Sequence, residues 1–270
     1  MLTDLLSFDF FRNALIAIVL IGVASAMIGT YIISRRLVSI AGGVTHACFG
    51  GLGLGYFLGI SPILMAGVTA IASAGAVEWM SASGKIREDS AIGVIWSVGM
   101  AVGVLFVFLT PGYVPELNSF LFGNILTIGT SDLLTFAIYD ALLILFFIFC
   151  YRTIIACAFD RDFARVSGMP ERLVNYTMTA FIAIAIVLTI RLVGVMLLMS
   201  MFTLPQMSAE LWSRSVGGIM TRAVCISILS GILALGLGAY VDVPLSALIV
   251  LVLSCVYLLC KLITLLGRQK

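Results

Sequence analysis

The chain has one histidine, His46, in 270 residues, and only 10% of its residues are charged. A single imidazole excludes an HExxH zinc site, a multi-histidine metal centre and any Ser-His-Asp set that avoids His46. A GxxxxGK[ST] phosphate loop is also missing, so the chain by itself cannot hydrolyse ATP by the usual route. The six cysteines, Cys48, Cys150, Cys157, Cys225, Cys255 and Cys260, include no CxxC pair. That argues against a disulfide framework or a structural zinc site and reads most simply as small apolar filler. A net charge of +2 gives no reason to expect nucleic acid.

What is abundant is apolar surface. Hydrophobic residues make up 62% of the chain and the mean hydropathy is +1.21, against roughly 45–50% apolar residues and about 25% charged ones in a soluble domain. The runs are long enough for a hydrocarbon core that needs about 20 residues of helix, and they recur from end to end. The expected fold class is therefore all-α, a polytopic integral membrane helical bundle, with candidate spans at 13–33, 41–59, 62–81, 91–109, 131–150, 174–190, 192–209, 223–240 and 244–266. The first run, Ala14 to Ile33, lacks a basic n-region and is followed by Arg35-Arg36 rather than a cleavage site, so it reads as a retained span. Alternating sides along the series places thirteen of the fifteen basic residues on one face, leaving Arg12 and Arg191 opposite. By the positive-inside rule that face is cytoplasmic, with the N-terminus outside and the C-terminus inside. Only Arg191-Leu192 separates the sixth and seventh candidates, so a broken or re-entrant helix there leaves eight or nine segments.

The whole chain, 1–270, reads as one transmembrane domain with two longer loops. The external one, 110–132, carries two prolines, and its "SFLFGNIL" is expected to rest on or dip into the membrane. The cytoplasmic one, 151–173, encodes a short amphipathic helix. Asp160 is placed to cap it, Phe163 and Val166 share a face at i,i+3, Gly168 is suited to end it, and Pro170 stops continuation. Such a helix serves either as an interfacial anchor or as a docking element.

Acidic residues in or beside spans are few: Glu78, Asp140, Glu210 and Asp242. Asp140, near the middle of 131–150, is the costliest placement, since a carboxylate at that depth needs a partner or a wet cavity. It is a pathway residue, a helix–helix hydrogen bond, or a span-boundary residue. His46 raises a similar choice. On a helix its face holds Gly42, Gly43, Phe49, Gly50 and Gly53. Small residues bring helices close in membranes, which makes this a packing stripe. Neutral imidazole is also the commonest transition-metal ligand, which makes it part of an ion path. Cys48 lies about 200° around the helix from His46 and is a poor same-face partner.

Four motifs in order, "SRRLVSIAGGVTHACFGGLGLGYFLG", "SFLFGNIL", "AFDRDFARVSGMP" and "RLVGVMLLMSMFTLPQMSAEL", resemble the permease subunits of ATP-driven manganese, zinc and iron importers, the ABC-3 family. The resemblance runs over nearly the whole chain. It implies a homodimeric permease in the bacterial cell (inner) membrane, with a cytoplasmic ATP-binding subunit that holds the ATP and an external metal-binding protein that delivers a divalent ion. No permanently bound cofactor is expected, and the metal is cargo. The same resemblance makes 159–168 the coupling segment, with Phe159, Asp160, Phe163, Ala164 and Gly168 touching the ATPase. It makes His46 a metal ligand on a path that also takes in Gly42, Gly43, Gly50, Gly53 and Asp140. One departure stands out: the family's usual aspartate four residues before the histidine is Gly42 here. The alternative from another class is a self-sufficient ion-coupled carrier or channel, for which Asp140 and His46 would be the ionisable groups at the midplane.

Overall fold

The computed structural model describes residues 7–82, 86–111, 123, 125–241 and 243–267. The elements are α1 (Asp9–Ser34), α2 (Val38–Leu58), α3 (Pro62–Ala82), α4 (Glu88–Leu109), a 3₁₀ turn (Ile125–Thr127), α5 (Thr130–Phe159), α6 (Arg161–Val166), α7 (Glu171–Met201), α8 (Leu204–Glu210), α9 (Val216–Gly238) and α10 (Leu245–Gly267). Among the described residues there is no strand, and eight stretches are long and apolar enough to cross a membrane. An all-helical architecture meets the bilayer's demand, because a helix satisfies its backbone polar groups within its own segment.

The helices overrun the hydropathy windows wherever no breaker intervenes. α5 continues nine residues past the expected end at 150, because nothing in "YRTIIACAF" stops it before Asp160. α9 starts seven residues early, where Ser215 caps it by accepting from the Gly218 N–H at 3.2 Å. Of the two outcomes expected around Arg191-Leu192, separate spans or a broken helix, the broken helix is found, with the break at Gly194. α7 passes through both residues and loses helical geometry at Gly194, with φ 80° and ψ 174°, a conformation that a side chain would make strained. The stretch Glu171–Glu210 is 40 residues long, enough residues for two spans of about 20 each. Most of "SFLFGNIL", together with Lys85, Asp242, Arg268 and Lys270, lies outside the described residues.

The chain packs as two compact units, each discontinuous in sequence. One is drawn from Met1–Ile33, Phe120–Leu145 and Leu192–Lys270. Its core is α1, whose Ala14, Ala17, Ile18, Ile21 and Ile28 are buried. Small residues bring α9 onto it: a Cβ on Gly22 would fall 2.9 Å from Ile228, and one on Gly231 would meet Ile18 at 2.5 Å. α8 closes the same unit. Pro205 sits in its first turn, and the buried Gln206 donates to the Ser25 carbonyl at 2.7 Å.

The other unit is drawn from Ser34–Ser119 and Phe146–Arg191. Here α2 is the buried helix, packed along α3 on one side and α4 on the other. α4 presents most of its length outward, with Val94, Val98, Val104, Leu105 and Phe108 exposed as lipid-facing apolar groups should be. The α2–α4 contact is made by backbone. A Cβ on Gly53 would lie 2.5 Å from the Gly103 oxygen, one on Gly103 would lie 2.6 Å from the Phe49 oxygen, and Gly99 sits directly on Ala47. These are small-residue crossings in which the absent side chains set the distance between helices.

A pair of substitutions on α4 tests this. Gly103→Ala is expected to destabilise the protein by about 1–3 kcal/mol, because the added methyl meets a carbonyl that cannot move aside. Gly93→Ala, with open space over the Cα, should be neutral or stabilising by up to about 1 kcal/mol through helix propensity. Thermal unfolding of the detergent-purified variants reads both, and equal shifts of the same sign would refute the packing account.

Candidate ion path and candidate docking helix

His46 lies midway along α2, half-buried, in the unit built on α2, α3 and α4. Its ring stacks on Trp96 of α4, with centroids 4.4 Å apart and planes 15° from parallel. Phe49, one turn along α2, stacks on it at 5.8 Å and 30°. The imidazole is thus held by two aromatic faces, a geometry worth about 0.5–1.5 kcal/mol per pair beyond area burial. Nδ1 is buried and has no hydrogen-bond partner. A buried ring nitrogen without a partner is a cost unless another group or an ion engages it.

Three glycines of the stripe are covered by α4. Gly43 faces Ile92, Gly50 faces the Gly99 backbone at 3.0 Å, and Gly53 faces Gly103. Their role in the structure is to seat α4, and it is this seating that delivers Trp96 to His46. Gly42 is buried. Cys48 is buried while His46 keeps an exposed edge, as their angular separation on α2 requires. Asp140 belongs to the other unit. It is buried on α5, and neither carboxylate oxygen has a hydrogen-bond partner. Among the described residues no three His, Cys, Asp or Glu side chains cluster as a metal cage.

The short helix α6 matches its sequence signals residue by residue. Asp160 is the N-cap of α6, its carboxylate accepting from the Phe163 N–H at 2.9 Å. Gly168, with φ 72°, takes the left-handed position after the last turn. Ala164 is fully buried beneath the helix. Phe159, Phe163 and Val166 are 66%, 59% and 89% exposed, so the apolar face points away from the chain's own core.

What sequence reasoning missed is how α6 is held. Arg161 Nη2 lies 3.1 Å from Glu78 Oε1 and 2.9 Å from Glu88 Oε1. Arg35, in the α1–α2 turn, reaches the same two carboxylates at 3.4 and 2.8 Å. At the other end of α6, Arg165 donates through Nε and Nη2 to Glu171 at 3.0 and 2.6 Å. Those hydrogen bonds, and the Glu171 charge behind them, raise the Arg165 pKa. The only sequence hint was the placement of Glu78 near a span end.

The model of the ABC 3 transport family matches residues 7–264. A Chlamydia pneumoniae protein named "Probable metal transport system membrane protein" is 35% identical over 87% of this chain and 82% of its own length. The manganese transport system membrane protein MntC of Halalkalibacterium halodurans is 28% identical over 95% of this chain and 88% of that one. Among solved structures, PsaBC from Streptococcus pneumoniae in complex with Fab superposes with a TM-score of 0.82 at 24% identity, covering 96% of this chain and 95% of that chain. The class is a multi-pass membrane permease of the ABC type. The chain belongs to the ABC 3 transport family, and the two relatives above are named as membrane proteins of metal transport systems.

Proposed function

We propose that this chain is the permease subunit of an ATP-driven importer for a divalent transition metal ion, manganese, zinc or iron, in the bacterial inner membrane. Two copies form the membrane part, two cytoplasmic ATP-binding subunits drive it, and an external metal-binding protein loads it. ATP is bound and hydrolysed on the ATP-binding subunit, and alternating access follows from its closure. The observation that carries this reading is α6. A capped helix clamped at both ends by arginine–carboxylate contacts, with Phe159, Phe163 and Val166 facing outward, is built to receive another protein. An ion-coupled carrier would use such an element only as an interfacial anchor. That alternative would draw instead on the unpartnered Asp140, which the importer reading treats as part of the path.

His46 serves as a transient ligand on that path, its lone pair offered to the ion between two aromatic walls. One imidazole is far short of a full coordination shell, and a second copy of the chain brings a second one. Without an acid at Gly42, the site offers nitrogen rather than a hard oxygen donor and holds the ion loosely enough to release it. The N-terminus lies outside and the C-terminus inside, which requires Glu171–Glu210 to count as two crossings; its length and the non-helical Gly194 are compatible with that.

Uptake of Mn²⁺, Zn²⁺ and Fe²⁺ by cells expressing the permease with its ATP-binding subunit tests the reading. Uptake should vanish when the ATPase carries a substitution of its phosphate-loop lysine. Undiminished uptake with that inactive ATPase would favour the carrier.

A further inference from the structure

Arg161, Glu78, Glu88 and Arg35 come from four elements: the start of α6, the end of α3, the start of α4 and the α1–α2 turn. Two positive and two negative charges alternate, so the group is neutral. Arg35 and Glu78 are almost fully buried, with 4% and 8% of their side chains exposed, while Glu88 and Arg161 sit at the rim with 26% and 28%. Buried ion pairs are a poor means of gaining stability, since apolar replacements of like size often do as well. What they do supply is a fixed geometry between the elements they join, because withdrawing one partner strands a charge.

The geometry continues inward along one rigid body. Glu88 is the first residue of α4, and Trp96, eight residues on, is the wall against which His46 stacks. Further along, Gly99 and Gly103 seat α4 on α2 at backbone contact. No flexible loop lies between the Glu88 carboxylate and the Trp96 ring, about 12 Å along the helix. Tightly packed helices shift as units rather than deform.

We infer that the Arg161–Glu78–Glu88–Arg35 cluster is the link through which displacement of α6 reaches α4, and through Trp96 the surroundings of His46. Arg161 is in this account a positioning residue: it touches neither ATP nor metal. The inference rests on the reading of α6 as the ATPase contact. Movement of α6 by a closing ATPase pulls the ends of α3 and α4 together, since one guanidinium nitrogen of Arg161 is shared between Glu78 and Glu88.

The test uses the complete complex of permease and ATP-binding subunits in proteoliposomes with the external binding protein. The probe is whichever of Mn²⁺, Zn²⁺ and Fe²⁺ the wild-type complex takes up fastest. The quantity read is metal moved per ATP hydrolysed by assembled complex. Arg161→Gln and Glu88→Gln should each lower that ratio by about ten-fold, with hydrolysis retained. The double variant should be no worse than either single one, because both break the same bridge. A wild-type ratio in Arg161→Gln overturns the inference, as do losses that multiply in the double variant. A purely structural role would reduce the amount of assembled complex and leave the ratio of the assembled fraction unchanged, which also overturns it. If Arg161→Gln does not assemble, Arg161→Lys decides, since lysine keeps the charge without the planar fork. A fall of about two-fold or more supports the link, and a wild-type ratio ends it. Wild-type complex whose uptake is independent of ATP would instead sink the importer reading itself.

Discussion

Cells expressing His46→Ala are expected to take up metal at limiting concentration about 10- to 100-fold more slowly than wild type, with normal membrane insertion and normal recovery of the permease–ATPase complex. The separation of the two readouts follows from the packing. His46 contributes one stacked face to Trp96 and one to Phe49, worth together about 1–3 kcal/mol. The α2–α4 crossing is fixed independently by Gly50, Gly53, Gly99 and Gly103. A smaller side chain at 46 therefore loosens a ring without separating the helices, while it removes the only imidazole in the chain. Adding a hard oxygen by Gly42→Asp, one turn before His46 on the same face, should shift preference among divalent ions and slow release. Measuring uptake of Mn²⁺, Zn²⁺ and Fe²⁺ at limiting and saturating concentrations distinguishes lost affinity from lost turnover. Normal uptake by the alanine variant at limiting metal would make His46 a packing residue and direct attention to Asp140.

The helices were legible because the bilayer leaves few choices. Among the described residues eight stretches are long and apolar enough to cross, and hydropathy alone located them to within several residues. Their ends were less legible, since hydropathy falls before helicity does. The nine residues from Tyr151 to Phe159 leave the apolar window yet contain no breaker, so α5 continues. The reverse happened at Arg191, where a charge suggested a break and the helix ran on to Gly194, the residue whose missing side chain permits φ 80°. Local signals performed best. The α6 cap, its exposed face and its glycine stop all depend on neighbours within eight residues, and each appears as its sequence implied.

The site itself was half legible. His46 and Phe49 share a face by simple periodicity, but Trp96 comes from another helix and arrives only through the register of α4 on α2. The small residues on that face predict close packing, and in the fold Gly43, Gly50 and Gly53 lie against α4 and set its register. The Arg35, Glu78, Glu88 and Arg161 cluster spans 126 residues of sequence and has no periodicity to announce it. Charges that fall at span ends are ordinarily expected to face water, and only the tertiary structure shows that these four face one another.

The second large effect is expected at Phe163. In the free chain its ring is mostly solvent-exposed, so Phe163→Ala removes little from the permease's own stability. The backbone of α6 stays in place, because the Asp160 cap is made to the Phe163 N–H and needs no side chain at that position. Docked under an ATPase subunit, the same ring is an aromatic anchor beside Val166 and Phe159, and its loss should cost about 2 kcal/mol or more, close to 30-fold in assembly affinity. Phe163→Asp should cost more still, since it places a carboxylate where the interface excludes water. Titration of purified ATP-binding subunit onto detergent-solubilised permease reads the affinity, and hydrogen exchange of 159–168 in the complex reads the contact directly. Assembly and transport at wild-type levels in the aspartate variant, with α6 exchanging as freely in the complex as alone, would remove α6 from the interface and with it the observation on which the importer reading rests.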